Sequence, residues 1–107
     1  MRVLFDQGTP APLRGYLTGC TVETAGERGW STLENGDLLD AAESARFDVL
    51  LTTDTNLRYQ QNLAVRRIAI VVLSATSWPR VRKVVGRVDA ALAGVQTGSY
   101  VEVEIPW

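Results

Sequence analysis

Histidine is absent from all 107 residues, and cysteine, methionine and lysine each occur once. Without an imidazole, Ser-His-Asp and Cys-His hydrolysis are excluded, as are zinc sites built on Cys and His. Cys20 is alone, so no disulfide forms within the chain, and a small buried apolar role is its simplest reading. No apolar run approaches the ~18 residues that span a bilayer, and the amino terminus carries no signal-peptide pattern. A cytoplasmic protein without a membrane partner is the expectation. The formal net charge of −1 gives no global attraction to nucleic acid, so any such pull must be local. What remains for chemistry is carboxylates, hydroxyls, amides and cations. With 46% hydrophobic and 21% charged residues, the composition suits one small domain, residues 1–107, with a single buried core.

The stretch Asp48–Asn56, DVLLTTDTN, organises the rest. Apolar, β-favouring residues run into two threonines, and Asp54 stands where the strand must stop. The opening repeats the pattern, with the apolar strand Arg2–Phe5 followed at once by Asp6. In a parallel sheet, ligands bind beyond the carboxyl ends of the strands, where the strand order reverses. Two strand-end acids thus point to one shared site, although either Asp alone would also read as an ordinary loop or capping residue.

Between these strands the signals alternate. Thr9 and Pro10 predict a helix start, with Leu13 and Leu17 facing the sheet and Gly19 ending the helix. Thr21–Thr24 is a short second strand, and 25–33 reads as a loop or one helical turn with Trp30 inward. Asn35 is the candidate N-cap of a helix running to about Ala45, with Leu38, Leu39, Ala42 and Ala45 buried. Asp48–Thr53 is the third strand, and 56–64 a short helix anchored by Leu57 and Leu63. Ile68–Leu73 is apolar throughout, as in a strand buried on both faces. Ser77 would cap a helix from Pro79 to about Ala93, with Val81, Val84, Val85, Val88 and Leu92 on one face. In Ser99–Ile105, apolar and charged residues alternate as on an edge strand. The alternation predicts an α/β fold of three layers, α/β/α, with a mainly parallel sheet of four to five strands. The order 2-1-3-4-5 would set strands one and three side by side, with Asp6 and Asp54 at the switch point.

The run Asn35-Gly-Asp-Leu-Leu-Asp-Ala-Ala, followed by Leu50-Leu-Thr-Thr-Asp-Thr-Asn-Leu57, resembles the second half of PIN-domain nucleases. Met1-Arg-Val-Leu-Phe-Asp6 and the proline-rich helix start after it resemble the opening of short PIN-like proteins related to toxin nucleases of toxin–antitoxin pairs. The likeness extends to about Leu73. It implies a ribonuclease using Mg²⁺ or Mn²⁺, leaving a 5′-phosphate and a 3′-hydroxyl, with RNA and an antitoxin-like protein as partners. By the same resemblance Asp6 is the first acid, Asp54 the acid of the Thr-x-Asp motif with Thr52 as its hydroxyl partner, and Glu27 a second acid. Asn35 and Asn56 stand where the family carries Asp. An amide oxygen still ligates a hard cation but brings no charge. Asp37, two residues on, is a candidate substitute for Asn35.

Arg58, Tyr59, Gln60 and Gln61 lie behind the strand-end acid and are candidates to line a substrate groove, Tyr59 by stacking on a base. Exposed helix surface is the alternative. Arg80, Lys83 and Arg87 share a helix face and read either as a phosphate-contacting stripe or as the solvated side of an amphipathic helix. The edge strand ending in Trp107 offers pairing to a second chain, hence a homodimer. Two rival functions stay open. One keeps the fold without catalysis, as a binding module for RNA or protein. The other is a receiver-like phosphoacceptor at Asp54, with Asp6 holding Mg²⁺ and Ser74 sensing the phosphate.

Overall fold

A computed structural model describes residues 1–107. Five short strands carry the apolar runs: β1 Arg2–Phe5, β2 Thr21–Thr24, β3 Val49–Thr52, β4 Ala69–Leu73 and β5 Tyr100–Val103. All pair in parallel in the order β2-β1-β3-β4-β5. The expected adjacency of the first and third strands is therefore met, with Phe5 opposite Leu51.

Side-chain alternation along each strand divides the core in two. Val3, Phe5, Val49, Leu51, Val71 and Leu73 face one side, covered by a 3₁₀ helix at Ala11–Tyr16 and by helices α3 (Trp78–Arg82) and α4 (Val85–Gly94). Leu4, Leu50, Ile70 and Val72 face the other, covered by α1 (Asn35–Ser44) and α2 (Leu57–Gln60). The central strands are buried on both faces, so the molecule is a three-layer α/β/α domain. Truncating a core side chain such as Leu50 to Ala should cost ~2–5 kcal/mol.

Several local expectations need correction. The helix after β1 is 3₁₀ rather than α, with Pro10 at the cap position, because the Thr9 hydroxyl is drawn to the Asp6 carboxylate and the Leu51 carbonyl. Asn35 is the first helical residue and makes no capping bond, since its amide is used elsewhere. The single helix expected over 79–93 is two, broken where Val84 sits at φ −130°. The run Val84-Val85-Gly86 is poor in helix propensity, while Val81, Val88 and Leu92 still share the buried face. Likewise 56–64 divides into α2 and a 3₁₀ turn at Leu63–Val65.

The basic stripe is engaged at two of its positions. Arg80 donates to the carbonyls of Ile105 and Pro106 and stacks on Trp107 at 3.7 Å, and Arg87 donates to the Glu104 carbonyl. These residues tie down the carboxyl-terminal segment, whereas Arg82 and Lys83 are exposed. Ser74 accepts the backbone N–H of Ile105, and half-buried Cys20 packs against the core. At the end of α1, Phe47 N–H bonds the Ala42 carbonyl and Arg46 N–H that of Glu43, the Schellman closure of a helix. Arg46 occupies the left-handed position at φ 63°, where glycine is usual and a side chain costs ~1–2 kcal/mol.

Candidate functional site at the carboxyl ends of β1 and β3

Parallel pairing brings Asp6 and Asp54 to the same edge of the sheet. Asp6 continues the ladder, its N–H bonding the Leu51 carbonyl at 3.2 Å, while Asp54 lies two residues beyond Thr52, the last residue of β3. Thr52 is 1% exposed and bridges the two acids. Its hydroxyl donates to Asp6 Oδ2 and accepts the backbone N–H of Asp54 at 3.0 Å.

Asp6 is half-buried and heavily hydrogen-bonded. Oδ1 accepts the Gly8 N–H at 3.1 Å and the Thr9 hydroxyl at 3.1 Å. Burial pushes its pKa above the ordinary carboxylate value, opposed by the bonds from Thr52, Thr9 and Gly8 and reinforced by the charge of Asp54. That last contribution means that the two acids sense one another. Asp54 is oriented from both sides: Asn35 Nδ2 donates to Oδ2 at 2.7 Å, and the Asn56 backbone N–H donates to Oδ1 at 2.9 Å. Asn35 also donates to Gln60 Oε1 at 3.0 Å, linking the start of α1 to the end of α2.

The other predicted site residues divide. Asn35 joins Asp54, but through its nitrogen rather than a ligating oxygen. Asn56 joins through its backbone only. Asp37 lines a polar cleft of about 430 Å³ with Glu34, Asn35, Gly36, Gln60 and Gln61, beside Asp54. Glu27 stands on the same sheet edge, just past β2, yet its carboxylate is taken by Arg14 at 2.7 and 3.1 Å and by the Thr24 N–H at 2.9 Å. The Arg14 guanidinium, with that N–H, lowers the Glu27 pKa to about 2. No third acid is gathered with Asp6 and Asp54 into a metal-holding cluster. Arg58 pairs with Glu102 at 3.0 Å and stacks on Tyr59 at 4.7 Å, and Tyr59 is 73% exposed.

Thr9 and Gly8 complete the surroundings of Asp6, beyond the residues expected from the sequence. Thr9 is buried beneath Asp6, and a Cβ at Gly8 would lie 2.6 Å from Thr53 Oγ1. The signal was present in the Asp-x-Gly-Thr spacing, a turn in which a carboxylate accepts bonds from the residues just after it.

The donor set suits a hard divalent cation in a limited way. A carboxylate offers about four lone-pair sites. Asp6 meets three donors and Asp54 two, which leaves open positions on both. Magnesium is commonly held by one or two carboxylates, with waters and substrate phosphate completing the shell. No family model matches the chain, and no curated protein or solved structure matches it.

Proposed function

We propose that the chain is a PIN-like, metal-dependent endoribonuclease whose site is the crevice at Asp6 and Asp54. The observation that carries this reading is the Asp6–Thr52–Asp54 bridge at the carboxyl edge of adjacent parallel strands. Asp6 and Asp54 would hold one Mg²⁺ or Mn²⁺ ion. Such an ion supplies a polarised, oriented water and stabilises charge on the leaving oxygen of a phosphodiester. Thr52 ties the Asp6 carboxylate to the backbone of Asp54, and Asn35 fixes the rotation of the Asp54 side chain. Gln60 and Gln61 offer hydrogen bonds to RNA and Tyr59 a stacking surface. Arg58 is available to a phosphate, because its pair with Glu102 is exposed and screened by solvent. A toxin role opposite an antitoxin-like protein, and a cytoplasmic location, belong to the same reading. No helix is long and apolar enough to cross a membrane.

Incubation with single-stranded RNA and Mn²⁺ tests the proposal. Cleavage should require the metal and disappear in Asp6→Asn and in Asp54→Asn; cleavage that survives both substitutions rejects it. A second reading, a non-catalytic binding module on the same fold, is favoured by the Asn35 nitrogen facing Asp54 and by the missing third acid. It predicts RNA or protein binding that Mn²⁺ and both substitutions leave unchanged.

A further inference from the structure

The two edges of the sheet are finished differently. On β2 the N–H groups of Thr21 and Ala25 bond the carbonyls of Met1 and Phe5, so by alternation Val22 and Thr24 turn their main-chain groups outward. Those groups are mostly taken. Arg14 donates to the Val22 carbonyl at 3.2 Å, the Thr24 N–H bonds Glu27 at 2.9 Å, and the Thr24 carbonyl accepts the Arg28 N–H at 3.2 Å. An edge capped in this way is closed to another strand.

The β5 edge is open. The carbonyls of Ser99 and Val103 accept the N–H groups of Ile70 at 2.9 Å and Ser74 at 3.1 Å, so Tyr100 and Glu102 turn outward. β5 pairs with β4 alone, and no side chain bonds the outward N–H or C=O of either residue. The opening is bounded at both ends. Beyond Glu102, the Glu104 carbonyl accepts Arg87 at 3.4 Å; before Tyr100, the Gly98 N–H bonds the Arg67 carbonyl at 2.8 Å.

We propose that β5 pairs antiparallel with β5 of a second copy of the chain, joining the two sheets across a two-fold axis at Val101. The residues themselves select this occupant and this register. With Val101 opposite its own copy, Tyr100 faces the partner's Glu102 twice over, and the four outward residues exchange four main-chain hydrogen bonds. Sliding toward the carboxyl terminus would set Glu102 against Glu102, a repulsive pair, and would call on the Glu104 carbonyl that Arg87 holds. Sliding the other way would set Glu102 against Gly98, whose N–H is already bonded. Charge complements the chosen register. Arg58 lies 3.0 Å from Glu102 and 5.8 Å from the centre of the Tyr100 ring, on the face where the partner's Glu102 arrives. The pairing does not depend on the nuclease reading, whose acids lie at β1 and β3.

Sedimentation equilibrium of the intact chain tests the proposal. Between roughly 10 and 500 µM, the range of a small interface, it should reveal a species of twice 11.7 kDa. Glu102→Pro removes two of the four bonds at an N–H that the folded monomer leaves free. It should therefore weaken association about tenfold or more while holding Tm within a few degrees of the parent. Cross-linking reads the register independently. In a Cys20→Ala background, Val101→Cys should oxidise to a covalent dimer, since facing residues of that pair type lie about 4.5 Å apart between Cα atoms. Glu102→Cys should not, because its copy would lie beyond the ~7 Å that a disulfide spans. A chain that stays monomeric throughout, association that ignores Glu102→Pro, or cross-linking through Glu102→Cys rather than Val101→Cys overturns the proposal.

Discussion

Thr52 and Asp6 share a hydrogen bond across two strands that are 46 residues apart in the chain, and the same hydroxyl accepts the N–H of Asp54. One buried side chain thus links the two acids, and its removal exposes how much of the site depends on it. Thr52→Val keeps the shape but leaves the Asp54 N–H and one Asp6 oxygen short of a partner. It should destabilise the domain by ~1–3 kcal/mol in urea unfolding, whereas Thr52→Ser should cost much less. Equal losses in the two variants would mean that packing, not the hydroxyl, matters there.

Burial makes the Asp6 charge unfavourable for folding. Its pKa is raised in the folded state, so the native chain binds the proton more tightly than the unfolded chain does. The resulting penalty is absent below the unfolded value of about 4 and complete above the folded pKa. Asp6→Asn should therefore be more stable than the parent at neutral pH. The advantage should shrink as pH falls toward 4. Thermal melts across that range check the sign, and a variant less stable at neutral pH would contradict it.

Glu27 follows the opposite rule. Its pKa falls from 4.5 to about 2, so the Arg14 pair supports the fold above pH 4.5 and is lost as pH drops through 2. Glu27→Gln should lower stability at neutral pH and match the parent near pH 2. The gap should narrow in high salt, because the pair is exposed. Metal affinity should be unchanged, which calorimetry of the same variant reads directly.

Asn35→Asp places a new acid against Asp54 Oδ2, beside the proposed cation. Without metal the new charge should destabilise the fold by repulsion. With Mn²⁺ it should tighten binding about tenfold and raise RNA cleavage. Unchanged affinity would remove Asn35 from the metal's surroundings.

The sheet was legible because its signals are local. Arg2–Phe5 and Thr21–Thr24 match the expected strands, and the apolar runs in β3 and β4 mark the two-sided burial that fixes the layer arrangement. The conflict between local and tertiary demands explains what was not legible. Thr9 and Asn35 both carry good capping side chains, yet the Thr9 hydroxyl also reaches the Leu51 carbonyl and the Asn35 amide reaches the Asp54 carboxylate, partners that come near only in the folded chain. Only the resemblance sets Glu27 among the acids, and Arg14, thirteen residues earlier, holds it. The cations of Arg80 and Arg87 resembled a solvent-facing stripe until the carboxyl-terminal carbonyls came within reach.

The central claim is that Asp6 and Asp54 act as one cation site, and a double-substitution cycle on Mn²⁺ binding tests it most directly. Calorimetry of the parent should give one ion per chain. Asp6→Asn and Asp54→Asn should each weaken binding about tenfold or more, and the double variant should be little worse than either alone, because the two ligands serve the same ion. Strictly additive losses, or a parent that binds no better than the double variant, would contradict the account.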